Sequence, residues 1–199
     1  MKLLIFSFSI IAYFALHSFL ASGFAKKKLQ QKLIPHNYFR LFYNTLATLL
    51  LLPCVVQYFS IEKVDLIKSS WSKWPGILLS LAGLIWVVKA LGGYDLSEFI
   101  GTSQLKKTAK SASIVLKTNG LNAQVRHPLY FGTLLLVWGM FFIFPNKAAL
   151  IIASVTTIYL IVGTKLEERK LEQQFGEAYR SYRTQVPMLT PFRWKSKKK

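Results

Sequence analysis

The sequence has one cysteine, Cys54, and it lies inside an apolar run. A lone thiol closes no intramolecular disulfide and offers no metal-ligand spacing. The histidines His17, His36 and His127 are far apart along the chain, so a structural zinc site has no support. Carboxylates are scarce as well: eight Asp and Glu stand against 26 Lys and Arg, for a formal net charge of +18. Repeats and low-complexity linkers are absent, which excludes solenoids and long tethered arrays.

Formal charge is also missing from long stretches. Leu3 to Phe24 is 22 residues without one, Leu41 to Ile61 is 21, His127 to Asn146 is 20 and Ala148 to Thr164 is 17. A soluble basic domain interrupts its apolar residues with polar ones at helical or strand period. A helix crossing the hydrocarbon core needs about 20 mostly apolar residues, with about 17 as the lower bound. A further run, Trp74 to Leu91, is broken only by Lys89 near its end, where a long stem reaches the interface. The expected fold is therefore all-α: a polytopic membrane protein with about five transmembrane helices and a C-terminal interfacial helix. The first run exceeds the roughly 7–15 apolar residues of a signal peptide, so it reads as a retained span.

The cations sort by loop. Lys26, Lys27, Lys28, Lys32 and Arg40 follow the first run, and Lys106, Lys107, Lys110, Lys117 and Arg126 follow the third. Ten more lie between Lys165 and Lys199, while Lys2, Lys63, Lys68, Lys73 and Lys147 fall on the other side. Positive charge in short loops marks the cytoplasmic face. The expected orientation is N-terminus outside and C-terminus cytoplasmic, in a bacterial inner membrane. The same distribution argues against nucleic acid as a partner, because the charges fall where topology needs them and no folded basic domain adjoins them. The tail from Arg193 to Lys199 suits anionic lipid instead, at about 1 kcal/mol per basic residue.

Residues 1–91 read as a three-span scaffold. Residues 92–199 read as a polar loop, a two-helix hairpin and an amphipathic helix with a basic tail, all in one integral unit. Pro145-Asn146-Lys147 leaves room only for a tight turn between the last two spans. The loop from Gly92 to Arg126 exceeds the roughly 12–15 residues beyond which loops are usually functional or disordered. From Lys165 to Val186, the apolar Leu171, Phe175, Tyr179, Tyr182 and Val186 recur at helical spacing, opposite Glu168, Lys170, Glu172 and Arg180. This predicts one amphipathic helix at the interface or over a site.

Two strings carry the suggestive chemistry. Arg126-His127-Pro128-Leu129-Tyr130-Phe131-Gly132 opens the fourth span. Helix initiation by Pro and interfacial anchoring by Arg and Tyr account for it locally. Glu167-Glu168-Arg169 follows the fifth span, where carboxylates near a helix start favour its dipole. A tight hairpin nevertheless brings the two strings to one depth, and convergent polar groups beside an apolar cavity are a ligand-site signature. His17, within the first span, is either a functional group or half of an interhelical hydrogen bond with Ser18 as fellow polar glue.

Gly120, Arg126-His127-Pro128-x-Tyr130-x-Gly132, Glu167-Glu168, Phe175-Gly176-x-x-Tyr179-x-x-Tyr182 and Val186-Pro187 together resemble the isoprenylcysteine carboxyl methyltransferase superfamily, which includes phospholipid methyltransferases. The resemblance covers roughly the last 90 residues. Ala15-Leu16-His17-Ser18, Tyr38 to Asn44, Asp95-Leu96, Phe99-Ile100-Gly101 and Gln104 resemble its nurim-like branch, which includes methanethiol S-methyltransferases. The resemblance implies an S-adenosylmethionine site in which Leu116 and Lys117 match loop residues, Arg126, His127, Pro128 and Tyr130 match the cradle, and Glu167 matches a cofactor-binding glutamate. Lys117 or Arg126 would face the cofactor's carboxylate. His17, Asn146 and Glu168 are candidates on the acceptor side. Prenylcysteine-methylating members carry an arginine four positions before that glutamate and a tyrosine two after the loop glycine. Here those positions are Gly163 and Asn122, which disfavours a prenylcysteine carboxylate.

The resulting expectation is methyl transfer from S-adenosylmethionine to a small or lipophilic thiol, carboxylate or amine. The alternative is a non-catalytic nurim-like membrane protein that binds a partner. An unrelated transporter fits less well, since the polar residues gather at one face and not at the midplane of matched halves.

Overall fold

The fold, from a computed structural model, is described for residues 1–68, 70–105 and 115–191, without the side chains of Glu98 and Phe99. Lys106, Lys107, Lys110 and the tail from Arg193 to Lys199, which carry the expected loop charge and lipid contact, lie outside the described residues. The helices are α1 Lys2–Ala21, α2 Gly23–Lys32, α3 Phe39–Ser60, α4 Lys73–Leu91, α5 Leu96–Ile100, α6 Pro128–Ile143, α7 Lys147–Phe175 and α8 Glu177–Gln185. Extended pairing among the described residues is confined to an isolated bridge between Asp65 and Asn146. Four helical stretches are long and apolar enough to cross a membrane: α1, α3, Ser70–Leu91 and α7. The shorter α6 is apolar too. The chain is an all-α polytopic membrane protein.

Local chemistry trims the apolar runs. The first ends at Ala21 because Ser22 turns to extended backbone, φ −69° and ψ 148°, and caps α2 by accepting from Ala25 N at 3.2 Å. Lys26, Lys27 and Lys28 therefore stand on a separate helix. The fourth run yields only 16 helical residues. Pro128 fits the first turn of α6, and Pro145 disfavours helical backbone at Phe144.

The described contacts group into two compact units. The first comprises Met1–Lys68, Tyr94–Ala112 and Pro145–Val155. Phe6 and Ile10 of α1, Cys54 of α3 and Ala148 of α7 form its core, with Tyr58, Ile151 and Val155 packed around them. His17 Nε2 and Tyr43 Oη meet at 2.7 Å, linking α1 to α3. Asn44 Nδ2 donates to Ile100 O at 2.8 Å. Asn146 is buried, and its Oδ1 accepts from Ala149 N at 3.0 Å at the start of α7.

The second unit comprises Ser69–Gly93, Ser113–Phe144 and Thr156–Lys199. Here α4 and α6 pack backbone to backbone. A Cβ added at Gly83 would lie 2.7 Å from Leu136 N and 2.8 Å from Gly132 O. One at Gly76 would lie 2.8 Å from Ile143 N. Small residues let membrane helices approach this closely. Trp138 Nε1 donates to Thr157 Oγ1 at 3.0 Å, and Tyr130 Oη donates to Glu167 Oε2 at 3.0 Å. These contacts run in opposite directions along α6 and α7, the antiparallel hairpin its three-residue connection predicts.

The expected single helix over 165–186 is two helices. The first half continues α7 without a break to Phe175, since no residue after Thr164 interrupts it. Gly176 then adopts φ +54°, a left-handed conformation that ends the helix. Only α8 is the separate piece, and it buries Tyr179 and Tyr182.

Candidate functional site

The start of α6 is met by the part of α7 beyond Thr164. Glu167 and Glu168 are successive on the helix, so their side chains leave about 100° apart and reach different partners. Glu168 Oε1 accepts from Arg126 Nε at 2.7 Å, lies 2.6 Å from Arg126 Nη2 and 3.3 Å from His127 Nε2. Its side chain is 12% exposed and that of Arg126 is 8% exposed, so this is a nearly dry ion pair. Glu167 is different: it is 45% exposed, and Oε2 takes the Tyr130 hydroxyl and stands 3.6 Å from His127 Nδ1. His127 is thus flanked by two carboxylates, and its ring stacks on Tyr130 with centroids 5.6 Å apart and planes 3° apart.

The C-terminal segment closes over this cluster. Arg126 Nη1 donates to the carbonyls of Arg183, at 3.1 Å, and of Val186. Arg126 N donates to Pro187 O at 2.9 Å and His127 N to Met188 O at 3.2 Å. Tyr182 Oη donates to Asn122 O at 2.6 Å, and Asn122 Nδ2 donates to Arg126 O at 3.1 Å. Beyond the cluster, Glu172 accepts from Arg180 Nε at 2.7 Å and Arg183 Nη1 at 2.9 Å, tying α8 to the end of α7. Tyr179 is 1% exposed, and its hydroxyl has no hydrogen-bond partner among the described residues. Burial, reinforced by the Glu168 carboxylate, pushes that phenol well above the ordinary tyrosine value. Burial raises Tyr182 as well.

Of the residues singled out in the sequence, Arg126, His127, Pro128, Tyr130, Glu167 and Glu168 come together. Leu116 and Lys117 stand on the preceding segment, where Lys117 Nζ donates to Gly93 O at 2.6 Å. His17 and Asn146 belong to the first unit and hold the hydrogen bonds given above. Tyr179, Tyr182 and Asn122 complete the cluster. The two tyrosines share the apolar spacing that runs through Leu171 and Phe175, but spacing alone carries no sign of their hydroxyl environments. No group of three His, Cys, Asp or Glu suited to a metal ion occurs among the described residues.

A family described as "Protein of unknown function (DUF1295)" matches residues 24–186. Among curated relatives, the Methanethiol S-methyltransferase of Crocosphaera subtropica is 38% identical over 121 residues, 58% of this chain and 47% of that protein. The Methanethiol S-methyltransferase 2 of Bradyrhizobium diazoefficiens is 29% identical over 189 residues, 92% and 71% of the two chains. The Protein-S-isoprenylcysteine O-methyltransferase of Schizosaccharomyces pombe is 26% identical over 130 residues, 60% and 55%. The chain spans about half the length of the first curated relatives it matches. No solved structure matches. With most of its length inside the family match and the ordered strings of its last 90 residues gathered at one cluster, the chain belongs to the DUF1295 family, within the isoprenylcysteine carboxyl methyltransferase and nurim-like superfamily.

Proposed function

We propose that this protein is an integral membrane methyltransferase that uses S-adenosylmethionine and methylates a small thiol or similarly small lipophilic acceptor. The observation that carries the reading is the half-exposed Glu167 carboxylate, held by Tyr130 beside His127, in a chain whose relatives are named for methyl transfer.

The residues suit such a cofactor. When bound, it supplies an electrophilic methyl group on a cationic sulfonium. Glu167 offers an accessible negative charge and Tyr130 an aromatic face, both of which favour a nearby cation. Lys117 offers an exposed ammonium for the cofactor's carboxylate. Arg126 is a poorer candidate for that carboxylate, since four of its five N–H donors are already committed. Leu116 and Pro128 would supply apolar wall. Tyr179 adds a buried phenol beside Glu168 and Arg126. Methyl transfer to a thiol is an in-line displacement, so the chain's main task is to hold donor and acceptor near contact and in line.

The acceptor follows from Gly163. A Cβ there would meet nothing within 4 Å, and no cation stands at the position where prenylcysteine-methylating members carry arginine. A buried carboxylate without a counter-charge is costly. In our reading the site faces the cytoplasm, the N-terminus lies outside, and the basic tail rests on anionic lipid. Purified protein in detergent, incubated with labelled S-adenosylmethionine and either methanethiol or a farnesylcysteine analogue, tests the proposal. Methylated methanethiol supports it. Methylation of the farnesyl compound alone overturns the acceptor, and no cofactor binding in calorimetry returns the chain to the non-catalytic reading.

A further inference from the structure

We infer that Arg126 is a positioning residue: it pins Glu177–Leu189 across the start of α6 and holds Glu168 against His127, without contacting the cofactor. What the arrangement serves rests on the methyltransferase reading above; the arrangement itself does not.

Arg126 joins three parts of the chain that are remote in sequence. Its Nε and Nη2 reach Glu168 on α7, and Nη1 reaches two carbonyls at the end of α8, those of Arg183 and Val186. Its own N–H, and that of His127, reach Pro187 and Met188. A guanidinium does this because its donors sit in a fixed planar fork, which an ammonium cannot reproduce. With four of its five N–H donors committed, Arg126 could hold a cofactor carboxylate by a two-pronged fork only by leaving Glu168 or the two carbonyls. Both side chains are nearly buried, at 8% and 12% exposed, so separation would strand two charges out of water.

The link also fixes the parts that remain accessible. His127 precedes Pro128, and its backbone, at φ −122° and ψ 70°, is tied by its N–H to Met188. Glu168 holds one ring nitrogen of His127, and the His127 ring stacks on Tyr130, which in turn holds Glu167. Arg126 therefore acts on Glu167 through a chain of side chains.

The experiment uses the full chain in detergent and three readouts: amide hydrogen exchange across residues 177–189, affinity for S-adenosylmethionine, and the separation of kcat from KM with methanethiol. Arg126→Gln is expected to speed exchange across 177–189 and to weaken cofactor binding by about tenfold or more. Its KM for the cofactor rises while kcat at saturation stays within about threefold of wild type, where a loss of folded protein would lower kcat alone. Glu168→Gln also weakens cofactor binding but speeds exchange less, because Arg126 keeps its bonds to the Arg183 and Val186 carbonyls. In the double variant cofactor binding is no worse than in the worse single, because both substitutions break the Arg126–Glu168 link. Arg126→Lys keeps a charge beside Glu168, guards against failure to fold, and still speeds exchange because the carbonyls lose their donors. Weakened binding with unchanged exchange, and losses that multiply in the double variant, would make Arg126 a cofactor ligand and overturn the inference. If wild-type protein binds no S-adenosylmethionine, the methyltransferase reading fails. Exchange in the Arg126 variants then decides the inference alone: faster exchange upholds it and unchanged exchange overturns it.

Discussion

Tyr130 and Glu167 meet through a hydrogen bond of 3.0 Å across 37 positions of sequence, and the same tyrosine ring stacks on His127. The hydroxyl and the ring are thus separable by substitution. Tyr130→Phe keeps the ring and releases Glu167, and we expect about tenfold weaker S-adenosylmethionine binding from the lost bond to a carboxylate. Glu167→Gln removes the charge itself, for a loss of about ten- to a hundredfold. Calorimetry on folded variants measures both. Equal affinity for wild type and Glu167→Gln would end the role given to that carboxylate.

The seam between α4 and α6 predicts a stability effect remote from the cluster. At Gly83 an added Cβ would sit 2.7 Å from a backbone nitrogen of α6, whereas at Gly163 it would meet nothing within 4 Å. Gly83→Val should destabilise the folded protein by about 1–3 kcal/mol, the usual scale for overpacking. Gly163→Ala should cost nothing measurable. Thermal melts in one detergent compare them, and equal midpoints for the two variants would contradict the packing.

The spans are readable in the sequence because a membrane helix has few alternatives. A run near 20 residues without charge cannot satisfy its backbone any other way in lipid. The hairpin, and with it the meeting of His127 and Tyr130 with Glu167 and Glu168, is readable because three residues allow only an antiparallel return. Ends are less legible. Ser22 stops α1 before the apolar run is over, and Gly176 splits a periodic pattern that reads as one helix. The partners of Arg126 are the least legible. Two are backbone carbonyls, which have no sequence signature, and Glu168 lies 42 positions away. The small residues that join α4 to α6 resemble any other glycines until their neighbours are known.

Alkaline pH probes the segment that closes over the cluster. Burial raises both Tyr179 and Tyr182 above the ordinary 10.0. Their contribution to stability is fully present below about pH 10, where folded and unfolded chains alike keep the proton. Above that, the unfolded tyrosines ionise first, and stability falls until the pH passes the folded values. Urea titrations between about pH 9 and 11 should show this loss, with a shallower slope in Tyr179→Phe. A flat wild-type profile would contradict it.

The charge asymmetry predicts topology. A reporter fused after Lys199 should be active only as a cytoplasmic fusion, while one inserted between Glu62 and Lys68 should report the opposite side. Activity of the C-terminal fusion outside the cytoplasm would reverse the orientation and put the cluster on the other face.

The glycine contacts between α4 and α6 also bear on traffic. Where Gly76, Gly83, Gly132 and Gly139 bring two backbones together, the facing helix fills the gap with its own backbone and with the Ile143, Leu135, Val87 and Ser80 side chains, and a single methyl group already finds no room. A hydrophobic molecule drifting in from the lipid has no doorway along that line. On the proposed methyltransferase reading, α4 acts as a wall on that side of α6, and substitutions that alter acceptor entry belong on the helix's other sides.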